Sequence, residues 1–299
     1  MQTGVYCPIT TSSVHGFQQA RGLPIDGICN EATWLALVEA SWNIGDRLLC
    51  LTSPNMRGDD VAELQAHLGR IGFDCGRVDG ILGPVTSHAI EDFQRNCGLV
   101  ADGVCGAATV QALARMSRQT GSGPGVAMVR ERERLRTTSS SLAGLQVVVG
   151  QFGGLSALTR ILARELRLGG AVVISVDEPD AIAQAGAANR FRADLYVGFE
   201  ARAEGASRIC YYAVPTFESV GGRSLAERLV SGLAGISGIN PCLAGMRLQV
   251  LRETKMPAVL ASFGSVRHTV DQAHDVARAA RVAIEQWAAR PLERAAPLD

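Results

Sequence analysis

Four things are missing from this chain, and each absence narrows its class. There is no excess charge: Lys plus Arg and Asp plus Glu number 29 each among 299 residues, so the formal net charge is zero. Nucleic-acid binding draws on clustered positive charge, and a neutral chain points instead to an uncharged glycan or a protein surface. There is no run of ~18 apolar residues, the length a membrane-crossing helix needs. Met1 to Val14 carry neither a basic start nor an apolar stretch of the kind that opens an export leader. The placement expected from this is cytoplasmic, or extracytoplasmic if a leader precedes this start. Finally, none of the eight cysteines (Cys7, Cys29, Cys50, Cys75, Cys97, Cys105, Cys210 and Cys242) forms a Cys-x-x-Cys pair. That spacing argues against a zinc knuckle and against a thioredoxin-like redox site. The cysteines are read as reduced, mostly buried, small hydrophobes.

What is present is material for buried cores. Hydrophobic residues make up 47% and charged residues 19%, a balance that excludes disorder along the whole length. The length implies two or three domains.

The first third repeats itself. Phe17-Gln18 and Phe93-Gln94 lie 76 residues apart, and the following text runs in parallel: Gly22-Leu23 with Gly98-Leu99, Asp26-Gly27 with Asp102-Gly103, Cys29 with Cys105. Ala32, Thr33, Ala36 and Leu37 likewise match Ala108, Thr109, Ala112 and Leu113. A shorter unit, Asp79-Gly80-x-x-Gly83-x-x-Thr86, recurs from Asp102 to Thr109, and from Asp26 to Thr33 with Asn30 in the second glycine place. Asp and Gly at these offsets supply a side-chain turn and a positive φ, and the Thr is expected to cap a helix start. Helical stripes follow at Ala89, Ile90 and Phe93, then Val110, Leu113 and Met116. Another stripe, Val61, Leu64, Leu68 and Ile71, precedes them with Asp59-Asp60 as cap candidates. The second repeat therefore predicts a three-helix module.

From Arg57 to Met116 the text, with G-D-D-V-x-x-L-Q-x-x-L, D-G-x-x-G-x-x-T and F-Q-x-x-x-G-L-x-x-D-G-x-x-G-x-x-T, resembles the peptidoglycan-binding helical domains that accompany bacterial cell-wall hydrolases. The resemblance implies a partial first repeat over 1–48 and a complete second repeat over 55–118. Trp34, Trp42 and Phe73 are the only aromatic candidates for stacking on sugar, and all three also suit a core.

Residues 119–142 change character. Gly121-Ser-Gly-Pro-Gly125 breaks regular structure, charge alternates from Arg130 to Arg136, and Thr137 to Ser141 is a hydroxyl run. This predicts a flexible linker with one short exposed helix, and phosphate added to the hydroxyl run would find arginines beside it.

Beyond it, over 143–292, apolar strand-like runs alternate with helical stretches. Leu145–Val149, Ala171–Val176, Leu195–Phe199, Ile209–Val214 and Ala258–Phe263 read as strands. A helix capped by Ser156 and ended by Gly169-Gly170, a helix over Ser224–Leu233 and another over Asp271–Trp287 separate them. The β-α-β rhythm predicts a mostly parallel sheet with helices on both faces. The fold class is therefore multidomain: all-α three-helix repeats followed by an α/β domain.

In that domain Ala188-Asn189, Ala193-Asp194-Leu195, Leu225-Ala226 and L-x-V-L-R-x-T-x-x-P-A-V-L from Leu248 to Leu260 resemble the zinc-dependent N-acetylmuramoyl-L-alanine amidases. With the repeats, the whole is similar to actinobacterial amidase-like regulators of peptidoglycan synthesis. The resemblance implies two His and one Glu on zinc, a metal-bound water, and a second Glu as general base. Matched position by position, the chain departs from that pattern. Phe152 stands for the first His of D-P-G-H-G-G, Glu200 for the second His of S-I-H-A-N, and Ser262 for the base of V-E-x-G-F. The segment that would bring the Glu ligand is deleted, because Gly154 leads almost directly into a helix.

The expectation is therefore a degenerate amidase-like domain with no catalytic residue, no bound metal and no cofactor. Such a chain would act as a regulator or adaptor on peptidoglycan, a cell-wall precursor or an enzyme of precursor synthesis. An active zinc amidase is the alternative, and a structural fusion assembled through its repeats is a third reading. His268 and His274, six apart, lack the i, i+4 spacing that puts two ligands on one helix face and are read as surface or capping residues. Glu200 and Arg202 are expected to pair across the vacated pocket.

Overall fold

The computed structural model describes residues 5–117, 125–138, 140–202, 206–214, 217–236 and 238–293. The chain divides into two units, Met1–Arg130 and Glu131–Asp299.

In the first unit α1 (Pro8–Arg21) and α2 (Glu31–Ala40) form the first repeat, and α3 (Asp59–Arg70), α4 (Pro84–Asn96) and α5 (Ala107–Ser117) form the second. The turns between them carry the Asp-Gly signature as expected. Asp26, Asp79 and Asp102 each accept from the backbone N–H two residues on at 2.9 Å, and Gly27, Gly80 and Gly103 hold φ near +70°, the region open to glycine.

The threonines do not cap N–H groups. Each hydroxyl instead meets a buried glutamine. Gln94, 2% exposed, turns its amide nitrogen toward Asp102 (2.9 Å), the Val104 carbonyl (3.0 Å) and Thr109 (3.1 Å). Its oxygen accepts from the Gly103 N–H at 3.0 Å. Gln18 makes the same contacts to Asp26, Ile28, Thr33 and Gly27, and Gln65 makes them to Asp79, Ile81, Thr86 and Gly80. A buried polar side chain is stable only when its groups are paired, and here one glutamine ties a helix to the next turn and the helix after it. Since α4 carries both Thr86 and Gln94, it belongs to two such ties.

Val61, Leu64, Leu68, Ala89, Ile90, Phe93 and Leu113 fill the second repeat's core, and Phe73 stands edge-on to Phe93 at 5.5 Å. Met116 departs from its stripe and is exposed, as is Trp34 in the first repeat, so Trp34 is not a core residue. Val14, Phe17 and Leu37, the counterparts of Ile90, Phe93 and Leu113, are not buried, because no helix equivalent to α3 packs on them among the described residues. Asp59 and Asp60 lie in the first turn of α3 rather than at its cap, which is Gly58. Asp60 instead receives the Arg47 guanidinium at 2.7 Å.

Next comes α6 (Val126–Thr137), in the stretch expected to be a flexible linker. Residues 118–124, which include most of the Gly-Pro stretch, and Ser139 of the hydroxyl run lie outside the described residues. The later part of α6 departs from a solvated connector, for two physical reasons. Leu135 is 3% exposed and joins the second unit's core. Glu131 accepts from Ser219 Oγ (2.6 Å) and from the N–H groups of Val220 (3.1 Å) and Gly221 (3.3 Å), the unpaired donors at the start of a helix.

The second unit contains β1 (Gln146–Phe152), α7 (Ser156–Leu168), β2 (Val172–Val176), α8 (Ala181–Phe191), β3 (Leu195–Ala201), β4 (Arg208–Val214) and β5 (Phe217–Glu218). It continues with α9 (Val220–Leu233), β6 (Cys242–Met246), α10 (Gln249–Glu253), β7 (Ala258–Phe263), α11 (Val266–Asp271) and α12 (Ala273–Ala289). The sheet order is β2-β1-β3-β7-β4-β5, with β6 beside β4. Pairing is parallel except where β4 meets β7 and β5, so the mostly parallel sheet is as expected. Helices α7, α9 and α12 cover one face, with Trp287 of α12 buried and donating to the Gly221 carbonyl at 2.9 Å. On the other face lie α8 and α10. Ser156 is not the cap of α7: Leu155 holds that place without a side-chain bond, and the Ser156 hydroxyl turns to Asp177 at 3.1 Å.

On the α8 face, Tyr196 donates to Gln184 Oε1 at 2.7 Å, and Gln184 donates to the Gln151 carbonyl at 2.8 Å. Both side chains are fully buried, and they lie on two strand glycines. A Cβ on Gly150 would stand 2.5 Å from the Tyr196 hydroxyl and closer still to Gln184; one on Gly198 would stand 2.9 Å from it. Strand glycines mark such close approaches.

All eight cysteines are free. The expectation that most are buried holds only for Cys75, Cys105 and Cys210; Cys242 is exposed and the other four are half-buried.

Three measurements check these points. Gln94→Leu leaves the Gly103 N–H and the turn oxygens unpaired and is expected to lower stability by ~1–3 kcal/mol, read from urea unfolding; an unchanged midpoint would count against the glutamine tie. Gly150→Ala is expected to cost ~1–3 kcal/mol by overpacking. Burial pushes the Cys75, Cys105 and Cys210 thiols up to about 12, so maleimide at pH 8 should label Cys242 in the folded chain and these three only after unfolding.

Candidate functional site

The strands of a parallel sheet hold directly paired residues on the same face. Phe152 of β1 pairs with Glu200 of β3, and Glu200 pairs with Ser262 of β7. The three positions singled out from the sequence, 110 residues apart at the extremes, therefore stand side by side at the C-terminal end of the sheet. The row continues: Ser262 faces Arg208 of β4, and Arg208 pairs with Cys242 of β6. Its location, outside the carboxyl ends of parallel strands beside the point where chain order reverses between β1 and β3, is the common place for a ligand in open α/β sheets.

The chemistry of the row is mixed. Ser262 is 1% exposed, while Phe152, Glu200 and Arg208 are half-buried. Arg202 follows β3, and its N–H extends the ladder to the Phe263 carbonyl at 2.9 Å. Its guanidinium donates from Nε to Glu200 Oε2 at 3.2 Å, so the expected Glu200–Arg202 pair is formed. Below the row, burial raises the Cys210 thiol, with Arg202 and Arg208 opposing that shift and Glu200 adding to it. By register Glu200, Ser262 and Arg208 stand on three neighbouring strands, and Arg202 is held to Glu200.

A catalytic zinc takes three protein donors from His, Cys, Asp or Glu and an open position for water. The row offers one carboxylate, already engaged by a guanidinium, together with one hydroxyl and a phenyl ring. Among the described residues no three His, Cys, Asp or Glu side chains come together in a way that could hold a metal ion. The donor set at these positions does not fit zinc. His268 is half-buried in α11 and His274 is exposed on α12, neither of them in the row. Ser262 is likewise without a histidine partner there, so nothing in the row activates it as a nucleophile.

Other motif residues prove to be supports. Asn189 of α8 donates to the Glu253 carbonyl at 2.8 Å and accepts from the Lys255 N–H at 2.9 Å, pinning the turn after α10. Thr254 is 1% exposed and donates to the Leu251 carbonyl at 3.1 Å. The sequence reading missed Arg208 as a site residue; it carries no motif signal, and only the antiparallel register of β4 brings it to the row. It also missed Tyr196 and Gln184, whose signal was the pair of glycines inside predicted strands.

Comparison with known proteins follows this division. Residues 1–37 and 57–113 match the family described as "Putative peptidoglycan binding domain". Over 309 aligned residues the chain is 32% identical to N-acetylmuramoyl-L-alanine amidase CwlM of Mycobacterium tuberculosis (strain ATCC 25618 / H37Rv), covering 92% of this chain and 75% of that protein. A spore cortex-lytic enzyme of Bacillus cereus is 44% identical over 61 residues, which is 20% of this chain and 24% of that protein. The crystal structure of N-acetylmuramoyl-L-alanine amidase from Clostridium difficile 630 covers 48% of this chain and 96% of its own, with 16% identity and a TM-score of 0.39. No helix among the described residues is long and apolar enough to cross a membrane. Identity sustained along nearly the whole chain, through repeats and α/β unit alike, places the protein in the N-acetylmuramoyl-L-alanine amidase family as a peptidoglycan-binding member similar to CwlM.

Proposed function

We propose that this amidase-family chain does not hydrolyse peptidoglycan and acts as a regulator or adaptor in cell-wall metabolism. Its repeats hold wall material or a precursor, and its α/β unit serves as a recognition surface. An enzyme of precursor synthesis is the kind of protein partner this role suggests. One observation carries the reading: the row Phe152–Glu200–Ser262 offers a ring, a guanidinium-paired carboxylate and a hydroxyl where the family resemblance implies two imidazoles and a carboxylate base. Zinc hydrolysis depends on metal lowering the pKa of bound water to about 7 and on a base to take its proton. With Ser262 at the base position, the proton has no acceptor even if a metal were supplied. Loss of hydrolysis leaves the fold intact, since Asn189, Thr254, Tyr196 and Gln184 tie elements together without reaching the row's chemistry.

Purified full-length protein, loaded with zinc and freed of excess, should retain well under one zinc per chain by elemental analysis. It should release no more soluble product from sacculi than a heat-denatured control, while still sedimenting with them. Stoichiometric zinc together with soluble muropeptide would establish an active amidase and remove this proposal.

A further inference from the structure

Helix α2 of the first repeat is apolar on both of its sides. Thr33 and Ala36 turn inward and are buried, as their counterparts Thr109 and Ala112 are in α5. On the opposite side Trp34, Leu35 and Val38 are 61%, 48% and 42% exposed. With Glu31 they share one helix face, since residues three and four apart are neighbours on a helix. A surface helix keeps polar residues on its outer side, and one that is apolar all round is normally covered on both sides. The second repeat shows what the fold itself requires. At the positions 76 residues on from Trp34, Leu35 and Val38, α5 carries Val110, Gln111 and Ala114. Smaller or polar side chains therefore suffice there, and the bulk on α2 is surplus to the packing of its own repeat.

We propose that the outer face of α2 is a docking surface for an amphipathic helix of a protein partner, its apolar ridge flanked by arginine or lysine. Charge selects the occupant. Residues 1–50 hold two arginines, no lysine and four acids. Arg21 is committed to Asp59, and Arg47 to Asp60. Glu31 stands at one end of the stripe, in the first turn of α2. Asp46 follows the other end, its carboxylate accepting from the Asn43 N–H at 2.8 Å, and both acids are exposed. An acidic border repels a second copy of the same face and an anionic lipid surface, and it attracts a basic partner. A sugar platform sets hydrogen-bonding side chains beside its ring, whereas Leu35 and Val38 bring none. A helix laid along α2 meets the stripe with apolar residues three and four apart. Trp34 is the anchor, a side chain of the type that dominates such contacts. This surface stands on the first repeat alone, so the inference is independent of whether the α/β unit binds zinc.

The repeat supplies its own control. In the full chain, Trp34→Val combined with Leu35→Gln and Val38→Ala gives α2 the outer face of α5. The urea midpoint of this variant should match that of the parent; a lower midpoint would show that the stripe serves the core and would overturn the proposal. The probe is a labelled helical peptide with leucines at i, i+3, i+4 and i+7 and arginines on both flanks, read by fluorescence anisotropy. A second peptide carries glutamates in place of the arginines. At low salt the arginine peptide should bind the parent about ten-fold or more tightly than the glutamate peptide, a gap that narrows in about 1 M NaCl. The variant should bind the arginine peptide about ten-fold or more weakly than the parent does. Equal binding of the two peptides, or binding unchanged in the variant, overturns the assignment. Three properties should be the same in parent and variant: self-association by light scattering, binding to vesicles of phosphatidylcholine and phosphatidylglycerol, and sedimentation with sacculi. Loss of one of them in the variant would give the surface to a second copy, to lipid or to glycan, and would overturn the proposal.

Discussion

Hydrogen-bonded register between β1, β3 and β7 is the constraint on which the rest of the second unit depends. It lines up positions 152, 200 and 262, and because side chains alternate along a strand, a slip of one residue would send all three to the opposite face. The slip is prevented from both sides of the sheet. Val147, Val149, Leu195, Val197, Val259 and Ala261 sit among α7, α9 and α12, where a polar residue would be costly to bury. On the other side Gly150 and Gly198 admit Tyr196 and Gln184, a fit that no shifted pairing reproduces. The site is thus held by packing around it rather than by bonds within it.

The first unit solves a different problem with a different device. Its modules are too small to rely on apolar burial alone, and each turn is locked by a glutamine with every polar atom paired. Such a tie is worth little in net terms while intact and much when broken, which suits a repeat that must keep one geometry in several copies. At the boundary Glu131 of α6 does comparable work for α9, satisfying N–H groups that the helix itself leaves open.

Among the described residues, charge at the row is partly paired, through Glu200 and Arg202. Glu200 and Arg202 are about 30% and 28% exposed, so their pairing contributes little to stability.

Much of this architecture was legible in the sequence. The Asp-Gly turns, the repeat spacing, five strands and the Gly169-Gly170 stop follow from local rules, since φ preferences and apolar periodicity act over a few residues. Phe152, Glu200 and Ser262 were singled out from short motifs, and the strand register sets them side by side. Other features depend on contacts between distant segments. The threonines of the repeats look like caps in isolation, and only the folded module turns them toward Gln18, Gln65 and Gln94. The strand β6 and the helices α8, α10 and α11 have no strong period of their own. Leu135 looks like part of a solvated connector until a core is built beside it. Above all, sequence determined which residue types stand at positions 152, 200 and 262, while tertiary structure decided their company: the antiparallel return of β4 adds Arg208 to the row. That partner is invisible in one dimension because strand pairing, a long-range hydrogen-bond choice, fixes it.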